Sequence, residues 1–265
     1  MASEDEEPLQ KIENLWVGSI SHHSIQQALA ADEGESDRSF KEMIILEVGD
    51  KKDKFLVHRS VLAATGDFFE AACKPVWLKG SNVLELPADD PDTIQTLVNW
   101  MYSDEIWSSG ERQVCTFENT LGEALASPFG LFAKLYILAE KYQIVRLKND
   151  AIDAMINYNE YTDLPISLIS YLYDNTTQDS VVRRLILDIV RCEWNRDQFL
   201  DFAERMCRDF LVNLAVPSFD LSAAEFDKYT RDLQLPHSQF CMRYHTHSDE
   251  TPFCENLKNP TFPDD

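Results

Sequence analysis

Two short apolar runs, Met43–Val48 (MIILEV) and Lys54-Phe55-Leu56-Val57, flank the polar stretch Gly49-Asp50-Lys51-Lys52-Asp53. Short runs around a turn-forming segment predict a β-hairpin. His58-Arg59-Ser60-Val61-Leu62-Ala63-Ala64-Thr65 follows, helix-compatible and stopped by Gly66, and Asp67 to Cys73 restarts as a second short helix that ends at Pro75. Val83-Leu84-Glu85-Leu86 alternates and is closed by Pro87, the pattern of a third strand. Asp90 stands where an N-cap belongs, with Pro91 at the first helical position. Ile94, Leu97, Val98 and Met101 then recur at helical spacing, so a helix is expected to about Tyr102.

Residues 103–128 contain Gly110, Gly122 and Pro128 and show no clear period. They predict a long loop with a short strand around Glu105 to Trp107. Order returns in two amphipathic helices, one carrying Leu131, Leu135, Leu138 and Tyr142, the next Ile144, Leu147, Ala151, Ala154, Met155 and Tyr158. So little chain separates them that an antiparallel pair is expected. Beyond Pro165 every stripe is helical: Ile166, Ile169 and Leu172; Val182, Leu185, Ile186, Ile189 and Val190; and Phe199, Phe202, Met206, Phe210 and Leu214, ended by Pro217. Ser222-Ala223-Ala224-Glu225 has the form of a capping box for a last helix bearing Phe226, Tyr229 and Leu233. The fold class is α+β, with an all-helical C-terminal region.

Apolar residues make up 44% of the 265, enough to bury a sizeable core. Lys and Arg number 24 against 46 Asp and Glu, a net charge of −22. A field of that sign repels phosphate backbones and anionic lipid, so neither nucleic acid nor a membrane surface is an expected partner. Residues 1–39 hold nine of the acids against two bases and read as a solvated arm around one apolar island. No run approaches the roughly 20 apolar residues of a membrane span. The opening MASEDEEPLQ lacks the basic and apolar parts of a signal peptide, which places the protein inside the cell, in cytoplasm or nucleus. Of the six cysteines, Cys73, Cys115, Cys192 and Cys207 sit in apolar or helical patterns and read as reduced thiols rather than a disulfide framework.

Phe55-Leu56-Val57-His58-Arg59-Ser60-Val61-Leu62, then Phe68-Phe69, Val83 to Pro87, Asp89-Asp90-Pro91 and Trp100-Met101-Tyr102 follow one another in an order and at separations that resemble the BTB/POZ family, most of all its fungal branch. Ala139 to Lys148 (AEKYQIVRLK) is similar to the stretch joining that family's last two core helices. The resemblance implies helices capping a small mixed sheet, used for self-association and for docking other proteins, with no chemistry of its own. It divides the chain into an acidic arm (1–39), a BTB/POZ domain (40–160), a helical extension (161–235) and a Cys/His-containing tail (236–265).

Relatives that recruit a cullin-type ubiquitin ligase scaffold carry a hydrophobic residue, any residue, then Glu between the second short helix and the third strand. Here that segment reads Cys73-Lys74-Pro75-Val76-Trp77-Leu78-Lys79-Gly80. Trp77 supplies an anchor, but Lys79 stands in place of Glu and reverses a charge at the rim. The leading reading is therefore a scaffold or adaptor that binds proteins through Val76, Trp77, Leu78 and Lys79; the alternative is a substrate adaptor for a cullin-type ligase. Trp77 and Leu78 either plug a local core or anchor the partner. Leu15, Trp16, Val17 and Ile20 in the arm are candidates for a homodimer contact. His58, at a strand-to-helix junction, reads as a hydrogen-bonding or capping residue rather than a catalytic or metal-binding one.

Cys241, His245, His247 and Cys254 fall together as C-x3-H-x-H-x6-C. No cofactor is expected from the family, and a chance gathering in a polar tail accounts for the four. The other reading is a structural zinc clip, since thiolates and imidazoles are the donors Zn²⁺ takes in closed tetrahedral sites. A Cys/His-dependent enzyme is a third alternative. Neither phosphate-cradling glycine motifs nor G-x-S-x-G nor H-E-x-x-H occurs.

Overall fold

The structure, a computed structural model, describes residues 42–78, 80–106, 115–159, 162–216, 237–247 and 254. Strands β1 (Met43–Val48) and β2 (Asp53–His58) form the expected hairpin, antiparallel with Met43 opposite His58 and Val48 opposite Asp53. Its turn uses two left-handed positions, Gly49 (φ 67°) and Lys52 (φ 58°), the first a residue that bears no Cβ penalty there. Along β1 the side chains alternate, and Ile44, Leu46 and Val48 enter the core.

Strand β3 (Val83–Leu86) lies on the other side of β1 and runs parallel to it, giving the order β2-β1-β3. A parallel pairing cannot be closed by a tight turn. Three short helices make the crossover: α1 (Arg59–Ala64), α2 (Asp67–Ala72) and α3 (Pro75–Leu78). The sheet is thus small and mixed, and helices cover it.

Helix α4 (Pro91–Ser103) starts as its sequence predicts. Asp90 Oδ2 accepts from Thr93 N (3.2 Å) and Thr93 Oγ1 (2.6 Å), Pro91 opens the first turn, and Ile94, Leu97, Val98 and Met101 are buried. Asp104 ends it in the left-handed region (φ 59°). The strand expected around 105–107 is absent at Glu105 and Ile106, which are irregular; Trp107 lies outside the described residues.

The loop expected up to 128 is also interrupted. Helix α5 (Leu121–Ala126) is set by a capping box in which Thr120 Oγ1 accepts from Glu123 N and the Glu123 carboxylate accepts from Thr120 N. Ser127 then caps α6 (Pro128–Lys141) through Gly130 N. Tyr142, Gln143 and Ile144 connect α6 to α7 (Val145–Asn159), with Gln143 left-handed (φ 57°), and the two helices pack together as the expected pair.

Helices α8 (Ile166–Asn175) and α9 (Val181–Glu193) carry the next two stripes. The third stripe was expected as one helix but is broken: α10 (Arg196–Phe202) is followed by a 3₁₀ turn (Ala203–Arg205), and α11 (Arg208–Ala215) starts afresh after Met206 and Cys207 adopt extended backbone. Positions four apart drift about 40° around a straight helix each time. Phe202, Met206, Phe210 and Leu214 would thus spread over about 120° of a single helix, and the break lets α11 set its own face. After the break Phe210 is fully buried beside Tyr173, while Phe199 and Phe202 pack at the edge of the core. The helix expected after Ser222 lies outside the described residues. Helix α12 (His237–Tyr244) opens the tail.

One hydrophobic core runs through all of this, from Ile44 to Tyr244. Helix α8 packs on both α5 and α6. The hydroxyl of the fully buried Tyr136 of α6 is hydrogen-bonded to that of Ser180 (3.0 Å) at the start of α9. No helix among the described residues is long and apolar enough to cross a membrane. None of the six cysteines forms a disulfide.

Candidate docking face and metal centre

Helix α2 ends before Pro75 as expected, at Ala72, and Pro75 then opens α3 from the first-turn position, where a missing N–H costs nothing. The four-residue helix turns Leu78 inward (6% exposed) and leaves Val76 and Trp77 at 74% and 67% exposure. Leu78 is the plug and Trp77 is not. Arg59 fixes the base of this segment, with Nη2 donating to Cys73 O (2.5 Å) and Nη1 paired with Glu42 (2.6 Å). Ser81 Oγ donates to Leu78 O at the far end. Lys79 and the candidate dimer residues Leu15, Trp16, Val17 and Ile20 lie outside the described residues.

His58 has a structural role. The Tyr102 hydroxyl accepts from its backbone N (2.9 Å) and lies 2.8 Å from its Nδ1, tying β2 to the end of α4. It makes no side-chain cap on α1.

The four tail residues converge. Cys241 lies in the last turn of α12 and His245 one turn later, where His245 N still donates to Cys241 O (3.0 Å), so both point from one face. The chain then leaves the helix and brings His247 back, with Cys254 from the segment beyond. Cys241 Sγ is 3.0 Å from His247 Nε2, Cys254 Sγ is 3.7 Å from the same nitrogen, and Cys254 Sγ is 3.2 Å from His245 Nδ1. All four donor atoms lie within 4.8 Å of one another.

Residues far upstream hold this cluster in place. His245 Nε2 meets Asp153 Oδ1 at 2.9 Å, and Asn149 clasps the backbone between the histidines, donating to Thr246 O (3.0 Å) and accepting from Thr246 N (2.9 Å). Asn149 and Asp153 are one turn apart on α7. On the other side, buried Asp188 of α9 accepts from Arg243 Nε (2.8 Å), Arg243 Nη2 (2.5 Å) and Tyr244 Oη (2.8 Å). Arg184 Nη1 donates to Arg243 O (2.8 Å).

Burial and the neighbouring Cys241, Asp153 and Asp150 push the Cys254 thiol up to about 12. Burial, helped by His245, holds His247 below the usual imidazole range. The site by itself thus disfavours charge of either sign, a preference that a divalent cation inverts. Two thiols and two imidazoles of this spacing are a donor set that can hold such a cation.

Sequence spacing singled out the four donors but not Asn149, Asp153 or Asp188, which stand between 55 and 97 residues from their tail partners. Their only local signal is the i, i+4 relation of Asn149 and Asp153, common on any helix.

Known proteins bear on the first half of the chain. The BTB/POZ domain family model matches residues 39–159. Among solved structures, the BTB domain of zebrafish PATZ1 is 18% identical, over 54% of this chain and 98% of that one, with a TM-score of 0.32. No curated protein matches. With the motif order of its strands and helices and the matching family model, residues 39–159 of this chain are a BTB/POZ domain, a module of protein–protein interaction.

Proposed function

We propose that the protein is a non-catalytic scaffold or adaptor that docks other proteins on the α3 face and self-associates. The observation that carries this reading is the exposure of Val76 and Trp77 on an ordered helix whose next residue, Leu78, is buried. A large aromatic held outward on a fixed base is the kind of residue that dominates interface energetics. Absence of chemistry is supported by the match of residues 39–159 to a family of interaction domains.

The adaptor for a cullin-type ligase is the second reading, favoured by the position of α3 between α2 and β3 and opposed by Lys79. Isothermal titration of the full chain against a purified cullin N-terminal domain separates the two. No binding tighter than about 100 μM keeps the scaffold reading, and a Kd below about 10 μM selects the ligase adaptor. Sedimentation velocity from about 1 to 100 μM tests self-association. The scaffold reading expects mass to rise from 30.5 kDa toward twice that value, and a constant monomer removes self-association from it.

A further inference from the structure

We infer that Cys241 Sγ, His245 Nδ1, His247 Nε2 and Cys254 Sγ form a closed structural Zn²⁺ site, with Asp153 as the carboxylate behind His245, and that the metal clamps the tail onto α7 and α9. Three independent features of the geometry agree. The first is the donor spacing. A tetrahedral Zn²⁺ with metal–sulfur bonds near 2.3 Å and metal–nitrogen bonds near 2.0–2.1 Å separates sulfur from nitrogen donors by about 3.5 Å. Three of the four sulfur–nitrogen separations here are 3.0, 3.2 and 3.7 Å, and the fourth lies within 4.8 Å.

The second is the division of labour within His245. One ring nitrogen faces the cysteine cluster and the other meets Asp153 Oδ1 at 2.9 Å. A metal-bound imidazole commonly gives its remaining N–H to a carboxylate in this way, which fixes the tautomer and the ring. The third is backbone order at a place where the chain has left its helix. The Asn149 clasp on Thr246 fixes the one residue between the two histidines, so both rings are held before metal arrives.

Metal binding replaces the thiol protons of Cys241 and Cys254, releasing two protons, and leaves a site with no net charge. Four protein donors leave no open coordination position, so the site is structural. Its consequence is mechanical: Cys254 becomes bonded to a cluster seated on α7 of the BTB/POZ domain, and α12 is locked beside α9.

The test uses tag-free full-length protein. Elemental analysis after gel filtration is expected to find one zinc per chain. Replacement by Co²⁺ should give the visible bands of a tetrahedral thiolate site, and Cys254→Ser should lose them. Asp153→Asn should keep the site but weaken zinc affinity by 10–100-fold in competition with a chromophoric chelator. Chelation should speed hydrogen exchange in 237–247 while leaving β1–β3 and α4 protected. Wild-type protein that takes up neither Zn²⁺ nor Co²⁺ at micromolar concentration overturns the proposal. So does a Cys241–Cys254 disulfide in protein purified without reductant, read by mass spectrometry. Both of these measurements need no variant to fold.

Discussion

The Asp150 carboxyl of α7 faces the core side of α4, where Trp100 Nε1 donates to its Oδ2 at 2.8 Å. Burial raises it from 3.8 to about 6, and the Trp100 hydrogen bond and Arg146 only partly oppose this. In the unfolded chain the group ionises near 3.8. Between that pH and about 6 the folded state keeps a proton that the unfolded state has released, so stability falls as pH rises through this window and stays low above it. At 1.36 kcal/mol per pH unit the full difference is roughly 3 kcal/mol. Asp150 retains partial exposure, and screening reduces the figure to on the order of 1–2 kcal/mol. Asn at this position keeps an oxygen for Trp100 but cannot ionise. Asp150→Asn should therefore raise stability by about 1–2 kcal/mol at pH 7.5, with about half that gain at pH 5.0, still above the isoelectric point near 4.5. A zinc site with no net charge would leave the sign unchanged. Urea unfolding followed by circular dichroism at the two pH values measures it. A variant less stable than wild type at pH 7.5, or a difference equal at both pH values, would refute the reasoning.

Asp188→Asn removes a buried charge that pairs with Arg243 and accepts from Tyr244, and should cost about 3 kcal/mol in urea unfolding and loosen 237–247 in hydrogen exchange; a change under about 0.5 kcal/mol would count against the clasp. A Cβ on Gly130 would fall inside contact distance of Ala124 O and Leu125 Cα, backbone atoms that cannot rotate away. Gly130→Ala should thus lower stability by about 2–3 kcal/mol, and a neutral thermal melt would show that the α5–α6 corner can open. Trp77→Ala should leave stability within about 0.5 kcal/mol, because the ring covers little of its own protein; a larger loss would mean that Trp77 is structural.

Elements with strong local signals were readable in the residues, and those set by distant packing were not. The hairpin and α4 follow from alternation, a Gly turn and the Asp90 cap. Helix α5 was readable too, since Thr120 and Glu123 are a capping box, but glycines and Pro128 nearby suggested a loop. Helix α2 stops before Pro75 as its sequence predicts, but Pro75 also opens α3, and only tertiary contact decides whether a helix resumes there. The break at Met206–Cys207 falls inside a stripe whose spacing fits a single helix, so periodicity alone does not reveal it. For the tail, the donor residues were visible as a pattern; the carboxylate and amide that seat them come from α7, and no local rule joins positions so far apart.

On the proposed function, this chain works by holding another protein on the α3 face. Quantitative affinity purification and mass spectrometry from the cells that make it, comparing wild type with Trp77→Ala matched for fold by circular dichroism, tests that claim most directly. A hot-spot aromatic is worth about 2 kcal/mol or more, some 30-fold in affinity. At least one protein enriched with wild type should accordingly fall by about tenfold or more with the variant. Identical partner sets and yields from the two forms, or no protein enriched over the tag alone, would contradict it.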